Sequence, residues 1–136
     1  MTLKKIPSPE EVAADSVSLL ALTDASPLQV FVSQKDERTH VVLLGELDIS
    51  TARFLAEQLL DATAGSEGDF VIDIGLLSFI GSTGISVLLT HHKSLEARGR
   101  KLTLLDPTPT ARRLFQITGL DQVLTIEPAE PPGHRR

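Results

Sequence analysis

The sequence predicts a single α/β domain with a mixed, mostly parallel β-sheet of about five strands and three or four helices. Apolar runs of strand length alternate with segments whose apolar residues recur at helical spacing, in the order β-β-α-β-α-β-α-β. Strands joined through a helix return in the same direction, so this order favours parallel neighbours. The segment Phe70–Ile74 is apolar almost throughout, which is typical of a central strand covered on both faces.

The first three predicted elements are two strands and a helix. Strands over Leu28–Ser33 and Thr39–Gly45 flank a polar turn at Gln34–Arg38, which predicts an antiparallel hairpin. Ser50 is a favoured N-cap residue, and the apolar positions after it recur at near-helical spacing to about Ala64. The sequence therefore predicts a hairpin followed by an amphipathic helix.

The second half of the chain predicts further strand and helix pairs. These elements are a strand at 69–74, a helix at about 83–97, a strand at 101–105, a helix at 110–118 and a strand at 123–126. The apolar stripe of the helix at 83–97 is predicted to consist of Ile85, Leu88, Leu89, His92 and Leu95. Thr108 and Pro109 are typical of a helix start, and Gly119 is typical of the residue after a helix end.

The two ends of the chain are predicted to lie outside this domain, which we place at residues 27–127. Residues 1–26 are either a short helix beginning at Ser8 or a disordered arm, and residues 128–136 form a Pro-rich tail.

Composition excludes several classes of function. The net charge of −5 argues against a nucleic-acid surface, because no basic stripe is present to neutralise phosphates. The absence of cysteine excludes disulfides and thiol catalysis, and fits a reducing cytoplasm. No apolar run approaches the roughly 20 residues that a membrane span needs. We therefore expect a cytoplasmic protein that contacts neither nucleic acid nor membrane.

The tetrapeptide Gly81-Ser82-Thr83-Gly84 is the candidate functional motif of the chain. It places two adjacent hydroxyls between a buried strand and the start of a helix. Unpaired N–H groups and the helix dipole favour an anion at such a position. A hydroxyl there could be a phosphorylation target, an anion ligand or a helix cap.

Three motifs in register resemble the STAS domain, and most closely the bacterial anti-sigma factor antagonists. They are Gly45-Glu46-Leu47-Asp48, then the strand–loop–Ser82-Thr83-Gly84–helix unit, then residues 111–120, ARRLFQITGL. The likeness covers roughly residues 28–127 and implies a STAS-like fold. It also implies that the chain binds an anti-sigma factor that is a serine/threonine kinase. The resemblance further implies that this kinase phosphorylates the chain, which ends the binding, and that a phosphatase removes the phosphate.

The resemblance implies the site by position. The phosphate acceptor is Thr83, with Ser82 beside it. Partner binding is assigned to Asp48, Ser50, Gly81, Ser82, Thr83, Gly84 and Ser86. Typical members carry Asp directly before the two hydroxyl residues, whereas this chain has Gly81, so an acid that could orient the acceptor is missing.

Other interpretations stay open. The chain could be a STAS regulatory or nucleotide-sensing module of a transporter or stress complex that no kinase switches. We expect no enzymatic activity, because residues 81–84 match neither a nucleophile elbow nor a Walker loop. Adjacent His91 and His92 point about 100° apart on a helix and cannot chelate a metal together. We therefore expect neither metal nor cofactor, and take His92 as a histidine at the edge of the core.

Overall fold

The computed structural model describes residues 27–128, so the predicted N-terminal helix or arm and residues 129–136 of the tail lie outside it. Its elements, renumbered in chain order, are β1 Leu28–Lys35, β2 Arg38–Leu47, α1 Ala52–Ala64, β3 Phe70–Ile80, α2 Ser82–Glu96, β4 Leu102–Leu105, α3 Pro109–Thr118, a 3-10 turn Leu120–Gln122, and β5 Thr125–Glu127. This is the predicted α/β class, and the predicted order of elements is confirmed.

The five strands form one sheet in the order β1-β2-β3-β4-β5. Strand β1 pairs antiparallel with β2, and every later neighbour is parallel. The start of β1 therefore lies at the same edge as the carboxyl ends of β2, β3 and β4. The hairpin turn is shorter than predicted, because Lys35 pairs with Arg38 and only Asp36 and Glu37, both at positive φ, form the loop.

Strand β3 extends to Ile80, whereas the sequence pattern ended it at Ile74. Two irregularities in its pairing with β2, between Val42 and Leu44 and between Gly45 and Glu46, explain the difference. At each one β3 carries an extra residue, so side-chain alternation is interrupted and the segment resembles a loop in sequence. The long strand brings Ile80 beside Leu47 and fixes where α2 begins.

Helices α1 and α2 bury one face each against the sheet. The buried residues of α2 are Gly84, Ile85, Leu88, His91 and Leu95. The predicted stripe is corrected here: His91, which it omitted, is buried, whereas His92 and Leu89, which it included, are only partly buried. His92 is partly exposed, and its Nε2 lies 3.9 Å from Glu96 Oε1.

The helix starts are determined locally. Thr108 caps α3 as predicted, its Oγ1 accepting from Ala111 N at 3.2 Å, and Gly119 ends the helix in the left-handed conformation. The N-cap of α1 is Thr51 and not Ser50. Ser50 instead donates both its N–H and its hydroxyl to Asp48.

Candidate functional site

The start of α2 is joined to the end of β2 at the carboxyl edge of the sheet. The Gly81 N–H donates to the Leu47 carbonyl at 2.9 Å. A Cβ on Gly84 would lie 2.4 Å from Leu47 Cγ and 3.1 Å from the Leu47 oxygen. Only glycine therefore allows the first turn of α2 to approach β2 this closely.

The loop after β2 is a tight turn built around Asp48. Its Oδ1 accepts the Ser50 N–H at 2.9 Å and the Ser50 hydroxyl at 2.7 Å. The Asp48 N–H donates to Thr51 Oγ1 at 3.0 Å, and the Asp48 carbonyl accepts from Ala52 N at 2.9 Å. These bonds form an Asx turn that leads into α1.

Asp48 carries a negative charge at neutral pH. The hydrogen bond from the Ser50 hydroxyl is the main cause that lowers the pKa of this carboxyl; desolvation opposes it, and the backbone N–H groups of Ser50 and Thr51 lower the pKa further. A negative charge is therefore held in the turn that is hydrogen-bonded, through Leu47, to the start of α2.

Ser82 and Thr83 are the first two residues of α2, and Gly81 is its N-cap. Neither hydroxyl makes a side-chain hydrogen bond with any residue in the described range 27–128. Neither hydroxyl therefore caps the helix, because both residues lie inside it. Ser82 is exposed and Thr83 is half-buried.

The backbone at Gly81 does not require glycine. Its φ of −102° and ψ of 177° are extended, as is usual for an N-cap residue. An added Cβ would lie 3.2 Å from Cε2 of Phe79, whose side chain belongs to a residue that is 53% exposed. A residue with a side chain can therefore occupy this position if the Phe79 ring shifts by a few tenths of an ångström.

The structure brings the sequence-predicted site residues together. Asp48, Ser50, Gly81 and Ser82 lie at the surface of the same edge, and Ser86 is exposed one turn along α2, its hydroxyl 3.1 Å from the Ser82 carbonyl. Gly84 is buried, so any effect it has on a partner acts through the position of the helix.

Sequence reasoning missed Thr51, whose hydroxyl both accepts from Asp48 N and donates to the Glu46 carbonyl at 2.8 Å. The sequence feature that could have identified Thr51 is a β-branched hydroxyl residue three positions after Asp48, directly before the apolar helical pattern. Thr51 is 4% exposed, and its hydrogen bonds stabilise the loop.

A groove of about 430 Å³ separates α1 from α2, and Thr83 lies along it with Leu60, Val87 and His91. The His91 ring packs edge-on against Phe70 with centroids 4.6 Å apart. Burial, together with the charge of Arg100, lowers the pKa of His91 to about 4, so the ring is neutral at neutral pH. Across residues 27–128 the structure contains no cluster of three potential metal ligands.

The sequence matches the family described as "Mlab, STAS domain" over residues 30–126. It is 30% identical over 106 residues to the anti-sigma-B factor antagonist of Bacillus subtilis, covering 78% of this chain and 96% of that protein. The corresponding protein of Staphylococcus aureus is 27% identical over 99 residues, covering 73% of this chain and 92% of that protein.

Two solved structures have a similar fold, and their sequence identity to this chain is close to that of the relatives above. An anti-sigma factor antagonist from Mycobacterium paratuberculosis has a TM-score of 0.69 at 27% identity, covering 75% of this chain and 86% of that chain. The phosphorylated form of the Bacillus cell fate determinant SpoIIAA has a TM-score of 0.62 at 26% identity, covering 77% and 95%. Within residues 27–128, none of the helices has the length and apolar character that a bilayer crossing demands.

Proposed function

Because the chain belongs to the STAS domain family, we propose that it is an anti-sigma factor antagonist. In this role it binds, in the cytoplasm, an anti-sigma factor that has serine/threonine kinase activity and thereby releases the sigma factor. Phosphorylation of Thr83, or of Ser82 beside it, ends the binding, and a phosphatase restores it.

The observation that carries this proposal is the pair of unbonded hydroxyls in the first turn of α2. A hydroxyl that caps a helix is occupied by a backbone N–H, whereas those of Ser82 and Thr83 are available to a kinase. The relatives support the proposal: several are named anti-sigma-B factor antagonists, and SpoIIAA has been solved in both phosphorylated and unphosphorylated forms.

Electrostatics explain how a phosphate could switch binding without unfolding the domain. A phosphate adds about 1.5 to 2 negative charges at neutral pH. The first turn of α2 contains no acidic residue, and its free N–H groups and helix dipole stabilise an anion there. A partner surface that had packed against a neutral hydroxyl would instead have to bury that charge, which weakens binding.

Gly81 supports a second candidate function, that of a STAS module that no kinase switches. In typical members an aspartate precedes the hydroxyls, and its loss removes a group that could orient the acceptor for the kinase. A STAS module that binds its partner in a transporter or stress complex, without kinase switching, needs no such acid.

One experiment separates these candidates. The tagged full-length chain is used to recover its partner from the source organism, and the partner is identified, purified and incubated with the chain and Mg-ATP. Our proposal predicts an ATP-binding partner that transfers phosphate to the chain, with transfer abolished in the Ser82→Ala/Thr83→Ala double variant. A stable partner that transfers no phosphate would support the second candidate and contradict ours.

A further inference from the structure

Three large apolar side chains stand exposed at the carboxyl edge of the sheet. Ile49 is 81% exposed, Phe79 is 53% exposed and Phe54 is 41% exposed. Ile49 lies in the Asp48 turn, Phe79 near the end of β3, and Phe54 in the first turn of α1. Single exposed apolar residues are ordinary, but a group of them at one edge marks an interaction surface.

The loop that carries Ile49 is ordered by the hydrogen bonds of its neighbours. Asp48 accepts two bonds from Ser50, and the Asp48 carbonyl accepts from Thr51 N at 3.1 Å and from Ala52 N. Ile49 is therefore exposed from a fixed turn, with its side chain turned away from the core. A preorganised apolar side chain loses little conformational entropy when a partner covers it.

Ile49 and Phe79 both lie close to the hydroxyls. Ile49 is two residues after Leu47, Phe79 is two residues before Gly81, and a hydrogen bond of 2.9 Å joins Leu47 to Gly81. A standard interface covers about 800 Å² per partner, which corresponds to a patch of about 16 Å radius. A protein whose interface is centred on Ser82 and Thr83 is therefore expected to cover Ile49 and Phe79 as well.

We infer that Ile49 and Phe79 form the apolar centre of the surface that binds the anti-sigma factor, and that they insert into an apolar recess on that partner. This inference rests on the proposed function, and it assigns most of the binding energy to these two side chains. The hydroxyls of Ser50 and Ser82 and the carboxylates of Glu46 and Asp48 form the polar rim.

The arrangement also explains why a phosphate on Thr83 would be effective. Apolar contacts at the centre exclude water, and a phosphate beside them would lose hydration without a matching cation. The same modification on a wet, polar interface would be tolerated far better. The apolar centre therefore makes the switch sensitive to a single modification.

The test measures the affinity of the purified anti-sigma factor for the unphosphorylated full-length chain and for Ile49→Ser, Phe79→Ser and Ile117→Ser. Ile117 is the matched control, because it is 72% exposed and lies near the end of α3, at the opposite edge of the sheet. We expect the dissociation constant to rise about tenfold or more for Ile49→Ser and Phe79→Ser, and to stay within about twofold for Ile117→Ser. Melting temperatures show that each variant is folded.

The outcomes are distinguishable. If wild-type chain binds and Ile49→Ser binds equally well, the apolar centre is wrong while the proposed function stands. If Ile117→Ser weakens binding as much as Ile49→Ser does, the effect is not specific to this edge and the inference is also wrong. If wild-type chain does not bind an anti-sigma factor at all, the proposed function and this inference are both refuted. Should Phe79→Ser lose stability, Ile49→Ser decides the question, because its side chain is almost fully exposed.

Discussion

The N–H of Gly81 donates to the carbonyl of Leu47 at 2.9 Å, so the residue directly before the two hydroxyls is bonded to the residue directly before Asp48. This bond couples the start of α2 to the Asp48 turn across two neighbouring strands. Any change that moves one of these segments is expected to move the other.

Gly84→Ala should destabilise the domain. The new Cβ would lie 2.4 Å from Leu47 Cγ, and relieving that overlap should cost about 1–3 kcal/mol in the free energy of unfolding. Urea denaturation measures this. Gly65→Ala is the matched control, because φ is −94° there and the nearest atom is 3.6 Å away. Equal stability of Gly84→Ala and wild type would contradict the close approach of α2 to β2.

Gly81→Asp should stabilise α2 slightly. Aspartate is a better N-cap than glycine by a few tenths of a kcal/mol, and the extended backbone at Gly81 accepts it. The exposed ring of Phe79 should shift to make room. Thermal unfolding checks the sign. A large loss of stability would show that Phe79 cannot move. A faster phosphate transfer in the same variant would show that an acid at this position assists the kinase.

Stability should fall as the pH is lowered from about 6.5 to 4, because His91 is held neutral in the folded protein. The lowered folded pKa means that the unfolded chain binds the proton first, which removes up to about 3 kcal/mol across that window. Urea denaturation at several pH values measures the slope, which should be smaller in His91→Leu.

Other groups do not confound this comparison. The pKa of His40 is also lowered, chiefly by burial, but His40 is present in both proteins and cancels in the difference of slopes. The pKa of Asp48 is lowered chiefly by the Ser50 hydroxyl, and Asp48 is likewise present in both proteins, so its effect also cancels in the difference of slopes. Identical slopes in wild type and His91→Leu would contradict the buried, neutral histidine.

Asp48→Ala should loosen the turn and weaken partner binding. The N–H and hydroxyl of Ser50 both lose their acceptor, so the Ser50 amide should exchange its hydrogen faster with solvent. Hydrogen exchange and the affinity for the anti-sigma factor are the two measurements. Asp121→Ala, an exposed acid in the 3-10 turn that precedes β5, is the control and should change neither. Unchanged affinity in Asp48→Ala would remove this turn from the interface.

The helices could be predicted because their signals are local. Thr108, Pro109 and Gly119 fix the ends of α3 within a few residues of sequence, and the structure has α3 where this pattern places it. The end of β3 could not be predicted in the same way. Its last residues are a strand only because β2 pairs with them through two irregularities, and that pairing joins residues about 30 positions apart.

The sequence predicted which segments of the candidate site lie together, and it predicted their detailed geometry less well. The proximity of Asp48 to the hydroxyl loop followed from the assumption that β2 and β3 are neighbours, which the register confirms. The inward face of α2 did not follow in detail, because His91 and His92 are adjacent and helical periodicity alone does not decide which of them is the more buried. The side of α2 that faces the sheet thus depends on long-range packing, which local periodicity does not determine.

The most direct test of the central claim is to map phosphate on the chain after incubation with the purified anti-sigma factor and Mg-ATP, and to compare affinities before and after. Our account predicts a phosphate on Thr83, an unchanged fold, and a dissociation constant that rises about 30-fold or more. A phosphate found only on Ser82 would move the site by one residue. No ATP-dependent phosphate on either hydroxyl, or unchanged affinity after modification, would contradict the account.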